Sequence, residues 1–63
     1  MQGQRIELVV IEDDEEDYII TRGLLDESEQ ERFHIQWAQT LHDGLGLLSD
    51  EVDAVLLDLS LPD

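Results

Sequence analysis

Apolar residues in this chain fall into short blocks separated by acidic ones. Ile6 to Ile11 is a β-branched-rich run with one charged interruption, Glu7. Near-continuous apolarity over about six residues predicts a strand buried on both faces. The acidic run Glu12 to Asp17 follows and predicts a helix start, because carboxylates in a first turn complement the helix dipole. Ile20 and Leu24 lie one turn apart, and Tyr18 and Leu25 about two, so the helix is expected to carry an apolar face as far as Leu25. Asp26 to Arg32 has no periodicity and reads as helix end and loop. Phe33, Ile35 and Trp37 alternate with His34 and Gln36, the period of a strand with one dry face. Thr40 with Asp43 three residues later resembles a capping box, with Asp in place of Glu or Gln. Leu41, Leu45 and Leu48 then form the expected apolar stripe of a second helix, weakened at Gly44 and Gly46 by about 1 kcal/mol each. Asp50 to Asp53 reads as a polar turn and Ala54 to Leu57 as a third strand.

Alternation of strand and helix predicts an α/β fold with parallel pairing and right-handed crossovers. In the flavodoxin-like, doubly wound arrangement the strand order begins 2-1-3. The first strand then lies between the other two, which suits its apolar character. The sequence is therefore expected to form βαβαβ, a truncated version of that sheet.

Composition narrows the chemistry. The 63 residues hold 17 Asp and Glu against three Arg and no Lys, for a net charge of −14. Such a surface repels nucleic-acid phosphate and anionic lipid, and favours divalent cations or basic protein partners. Apolar residues still make up 41%, too many and too blocked for a disordered chain. No cysteine is present, which fits a reducing compartment. No signal-like or membrane-length apolar stretch occurs, so a cytoplasmic protein is expected.

Two carboxylate groups stand at predicted strand ends. Ile6 to Ile11 delivers Glu12, Asp13 and Asp14; Ala54 to Leu57 delivers Asp58, followed by Leu-Ser-Leu-Pro-Asp with Pro62 as a strand stopper. If the two strands are parallel neighbours, three or four carboxylates meet at their carboxyl-terminal ends, where open α/β sheets bind ligands. Crowded carboxylates raise one another's pKa and call for a divalent ion. Mg²⁺ suits such a set, since it takes oxygen ligands, one or two of them carboxylates, and keeps several waters. Other candidates are weaker. Asp13, Glu15 and Asp17 have the spacing of a calcium loop, but Tyr18 occupies the position that needs Gly. His34 and His42 have no acidic or Cys partner at metal spacing and are expected on wet surfaces. Trp37 is expected in core or edge packing. Gly44 and Gly46 lack the Lys and Ser/Thr of a phosphate loop.

From Ile6 to Asp63 the sequence resembles the amino-terminal half of a response-regulator receiver domain of two-component signalling. The residues that carry the resemblance are Leu-Val-Val-Ile-Glu-Asp-Asp, Leu-Leu-Asp-Leu-Ser-Leu-Pro-Asp and the spacing between them. It implies that Asp58 is the phosphoacceptor, receiving a phosphoryl group from a histidine kinase or phosphotransfer protein. It implies an Mg²⁺ site, open to Mn²⁺, at Glu12, Asp13, Asp58 and the backbone carbonyl of Ser60. Asp14 is a further candidate ligand if the first strand runs one residue longer. A receiver is a phosphoacceptor that switches an output domain, not an enzyme acting on a separate substrate. The family's pattern also needs a Ser or Thr after a fourth strand and a Lys after a fifth. Residues 1–63 contain no Lys, so the resemblance implies a half-domain whose partner half lies elsewhere in a parent chain. A receiver-like interaction module that is never phosphorylated is the alternative. Without a fourth strand, the apolar third strand is expected to expose an edge, and residues 1–63 to self-associate or to require their other half.

Overall fold

The structure, a computed structural model, describes residues 5–27 and 32–58. β1 (Arg5–Ile11), α1 (Glu15–Asp26), β2 (Arg32–Ala38), α2 (Leu41–Leu47) and β3 (Ala54–Leu57) follow in that order. The strands form one parallel sheet in the order β2-β1-β3, the flavodoxin-like arrangement. Along β1 the register runs from Arg5 opposite Arg32 to Ile11 opposite Ala38. On its other side Leu8 to Ile11 pair with Ala54 to Leu57.

Central placement explains the burial of β1. Leu8, Val9, Val10 and Ile11 are all buried, and with Ala38 they are the buried apolar side chains among the described residues. Val9, Ile11 and Ala38 form one cluster, against which Leu41, Leu47 and Val52 pack. Val52 belongs to the stretch expected as a polar turn; its side chain also packs, partly buried, against the core. Strand alternation turns Val10 and Trp37 to the opposite face. There Tyr18 of α1 stacks on Trp37, with ring centroids 4.3 Å apart and planes 3° from parallel. One helix thus covers each face. β3 does not share the burial of β1. Val55, Leu56 and Leu57 are each more than 40% exposed.

Each helix covers only part of the face expected from the sequence: Tyr18 and Leu25 in α1 and Leu41 in α2 are as expected, the other positions are not. In α1, Ile20 and Leu24 are exposed, at 61% and 65%, while Tyr18, Thr21 and Leu25 are half-buried. Two stripes were available at helical spacing, and the stack on Trp37 selects the one through Tyr18. In α2 the covered positions are Leu41, Gly44 and Leu47, and Leu45 and Leu48 are exposed. Gly44 is the reason. A Cβ there would overlap Cγ1 and Cδ1 of Ile11, so the bare backbone lets the helix close onto β1. Thr40 caps α2 as expected, its Oγ1 accepting from Asp43 N at 3.0 Å.

Candidate metal centre

The sheet ladder builds the site. In a strand, the N–H and C=O of one residue point to the same neighbour, and successive residues alternate between neighbours. At the end of β1, Ile11 faces β3, and its carbonyl accepts from Asp58 N at 3.1 Å. Glu12 faces β2, and its N–H donates to the Ala38 carbonyl at 2.9 Å. Asp58 is thereby held beside the residues that leave β1. Glu12, Asp13 and Asp58 each offer a carboxylate oxygen within 4.8 Å of the other two. Asp13 is exposed; Glu12 and Asp58 are half-buried. This is the convergence expected from the sequence, at the carboxyl-terminal edge of adjacent parallel strands. A pocket of about 190 Å³, lined by Val10, Ile11, Glu12, Thr21, Leu56, Leu57 and Asp58, opens beside it.

Asp14 is placed differently from its neighbours. β1 ends at Ile11, and α1 starts at Glu15 rather than within the acidic run's first residues. Asp14 is the N-cap, with Oδ1 accepting from Glu16 N at 2.8 Å and Asp17 N at 3.4 Å. Its carboxylate serves the helix. Its own N–H donates to Glu12 Oε2 at 3.1 Å and so helps to orient that carboxylate toward the cluster. Ser60, whose carbonyl was a candidate ligand, lies outside the described residues.

Electrostatics follow the crowding. The Asp14 N–H stabilises the Glu12 carboxylate, but desolvation, hydrogen bonds shared with Asp58 and Asp13, and the charge of Asp58 outweigh it. The net effect raises the Glu12 pKa above its ordinary value. Three oxygen donors at this spacing, with a raised carboxyl among them, form a donor set suited to a hard divalent cation.

Two further arrangements escape the sequence. Trp37 is more than packing: its Nε1–H donates to the Glu12 carbonyl at 2.8 Å. The parallel register also sets Glu7 opposite His34, and Nδ1 of His34 lies 2.6 Å from Glu7 Oε1. Arg5 Nε donates to Glu7 Oε2 at 2.7 Å, and Asp53 Oδ2 accepts from Glu7 N at 2.8 Å. His34, expected to lack an acidic partner at metal spacing, meets one carboxylate through the sheet. The bond from His34 is the main cause that holds the Glu7 carboxyl below its ordinary value; desolvation opposes it and Arg5 reinforces it. A roomier pocket, about 500 Å³, lies elsewhere, between β2 and α2, and is lined by residues such as Trp37, His42 and Leu47. It gathers no set of converging carboxylates, and the acidic cluster is the better candidate on chemical grounds. No helix among the described residues is long and apolar enough to cross a membrane. Comparison of the chain with protein-family models, with curated proteins and with solved structures finds no match.

Proposed function

We propose that these residues form the phosphoacceptor centre of a response-regulator receiver domain, working in the cytoplasm in two-component signalling. The observation that carries the reading is the meeting of Glu12, Asp13 and Asp58 at the ends of adjacent parallel strands. The nucleophile is Asp58. Its carboxylate oxygen attacks the phosphorus of a phosphohistidine on a partner kinase or phosphotransfer protein. The P–N bond breaks, its electron pair stays on the imidazole nitrogen, and Asp58 is left as an acyl phosphate. Asp13 and Asp58, with the Ser60 carbonyl, would hold Mg²⁺ or Mn²⁺ directly, and Glu12 through water. The ion, when bound, supplies the positive charge that neutralises the phosphoryl oxygens. Residues 1–63 contain no Lys, so a cation that pairs with the phosphoryl group would come from other residues, as would the output domain.

Acetyl phosphate tests the reading on the full chain that carries these residues. The expected result is one phosphoryl group per chain, dependent on Mg²⁺, labile to hydroxylamine and lost in Asp58→Asn. Absence of any adduct with Mg²⁺ present would favour a receiver-like interaction module that is never phosphorylated.

A further inference from the structure

We infer that Trp37, backed by Tyr18, is a positioning residue for the acidic centre, setting the direction of the Glu12 peptide and through it the cation site. The inference rests on the cation reading above.

The β1–β2 ladder ends where Ile11 meets Ala38. Glu12 N–H still finds the Ala38 carbonyl, at 2.9 Å. The Glu12 carbonyl points to the same side, and β2 supplies its donor from a side chain. The indole Nε1–H takes that place at 2.8 Å. A half-buried carbonyl left without a donor is costly, and a hydrogen bond of this kind contributes about 1 kcal/mol. The indole is itself held. Tyr18 lies flat against it at 4.3 Å. Tyr18 ends the first turn of α1, where its N–H donates to the Asp14 carbonyl at 3.0 Å. The Asp14 N–H in turn donates to Glu12 Oε2 at 3.1 Å. A closed circuit results: Glu12, Asp14, Tyr18, Trp37 and back to Glu12. It surrounds the short turn that carries Asp13. Glu12 is thus fixed at its N–H, its carbonyl and its carboxylate, each by a different partner. A bare strand-to-helix turn crowded with like charges would spread them apart; this circuit holds the Glu12 carboxylate in place against that repulsion.

Linkage makes the inference quantitative. Whatever the indole bond adds to cation affinity, the cation adds to the indole bond. Trp37→Phe keeps an aromatic ring for Tyr18 and removes the donor together with part of the indole's stacked area. In the full chain, calorimetry with Mn²⁺ should show a dissociation constant raised by up to about fivefold, the ceiling set by the worth of one ordinary hydrogen bond. The variant's melting temperature without metal identifies how much of it is folded. In the wild type, exchange of the Trp37 indole proton should slow on saturation with Mg²⁺ by more than exchange of the β1 and β2 backbone amides does, an excess that stabilisation of the whole fold does not produce. A folded Trp37→Phe with wild-type Mn²⁺ affinity overturns the inference. Should that variant not fold, an indole proton in the wild type that slows on Mg²⁺ saturation no more than the backbone amides overturns it equally. A wild type that binds no Mn²⁺ overturns the cation reading itself, and the positioning role with it.

Discussion

At the scale of single residues, two glutamates of β1 and its turn respond to acid in opposite directions. His34 holds the Glu7 carboxyl below its ordinary value of 4.5. A carboxylate with a lowered folded pKa contributes stability that is present above about pH 4.5 and lost as pH falls through the folded pKa. Glu7→Gln should therefore lower the melting temperature at neutral pH and flatten its acid limb, read in a pH series of thermal melts on the full chain. The Glu12 carboxyl is raised above 4.5 by its crowded neighbours. It binds a proton more readily when folded, so its contribution favours folding at low pH and is lost as pH rises through the folded pKa. Glu12→Gln should raise the melting temperature at neutral pH and change it little in acid. An equal shift at both pH values would show that the crowding is not electrostatic. Mg²⁺ should act at neutral pH in the same sense, by about 2.7 kcal/mol at one hundred times its dissociation constant. Asp13→Asn should leave the fold intact and weaken Mn²⁺ binding about tenfold or more, in the manner of a lost charged ligand. Equal affinity in the two proteins would remove Asp13 from the site.

At the scale of elements, the glycines separate two meanings of one residue type. Gly23 in α1 and Gly46 in α2 have open space where a Cβ would lie, and no glycine among the described residues has a positive φ. Alanine at either position should stabilise by about 1 kcal/mol through helix propensity. Gly44 is buried against Ile11. Gly44→Ala gains the same propensity but overpacks the core, at a cost of about 1–3 kcal/mol. Urea unfolding should rank Gly46→Ala above wild type and Gly44→Ala below it; a stabilised Gly44→Ala would mean that α2 is free to lift off β1. Sequence periodicity marks all the helix glycines alike, because propensity is local and the approach of α2 to β1 is not.

At the scale of the whole molecule, β3 pairs with β1 along one side, and its apolar side chains stay exposed, Leu57 at 47%. Burying two such side chains is worth about 3–6 kcal/mol, comparable to what a core of this size supplies. A second copy that adds its own β3 would pair with the backbone edge and, where its own elements lie over the sheet faces, cover these side chains, against the repulsion of two chains each carrying −14. Residues 1–63 in isolation should therefore self-associate, more strongly as salt screens that charge. Sedimentation at low and high salt measures this; a cooperatively melting monomer under both conditions would show that the exposed edge is tolerated.

Strand–helix alternation, the central place of β1, the Thr40 cap and the delivery of carboxylates to the ends of β1 and β3 were legible from the sequence alone. Each depends on local period, on capping chemistry or on how apolar a run is, and these are properties of residues near in the chain. Helix phase was legible only in part. Tyr18, Thr21 and Leu25 and the pair Ile20 and Leu24 both keep helical spacing, and contact with Trp37 chooses between them. The role of Asp14 depended on one residue of strand length, which only the finished ladder decides. Pairing of Glu7 with His34 and of Trp37 with the Glu12 carbonyl joins residues about 25 positions apart. Their meeting requires the parallel register of β1 on β2, in which a slip of one residue would turn every side chain to the other face. Period tells which residues share a face; only the assembled sheet decides what that face meets.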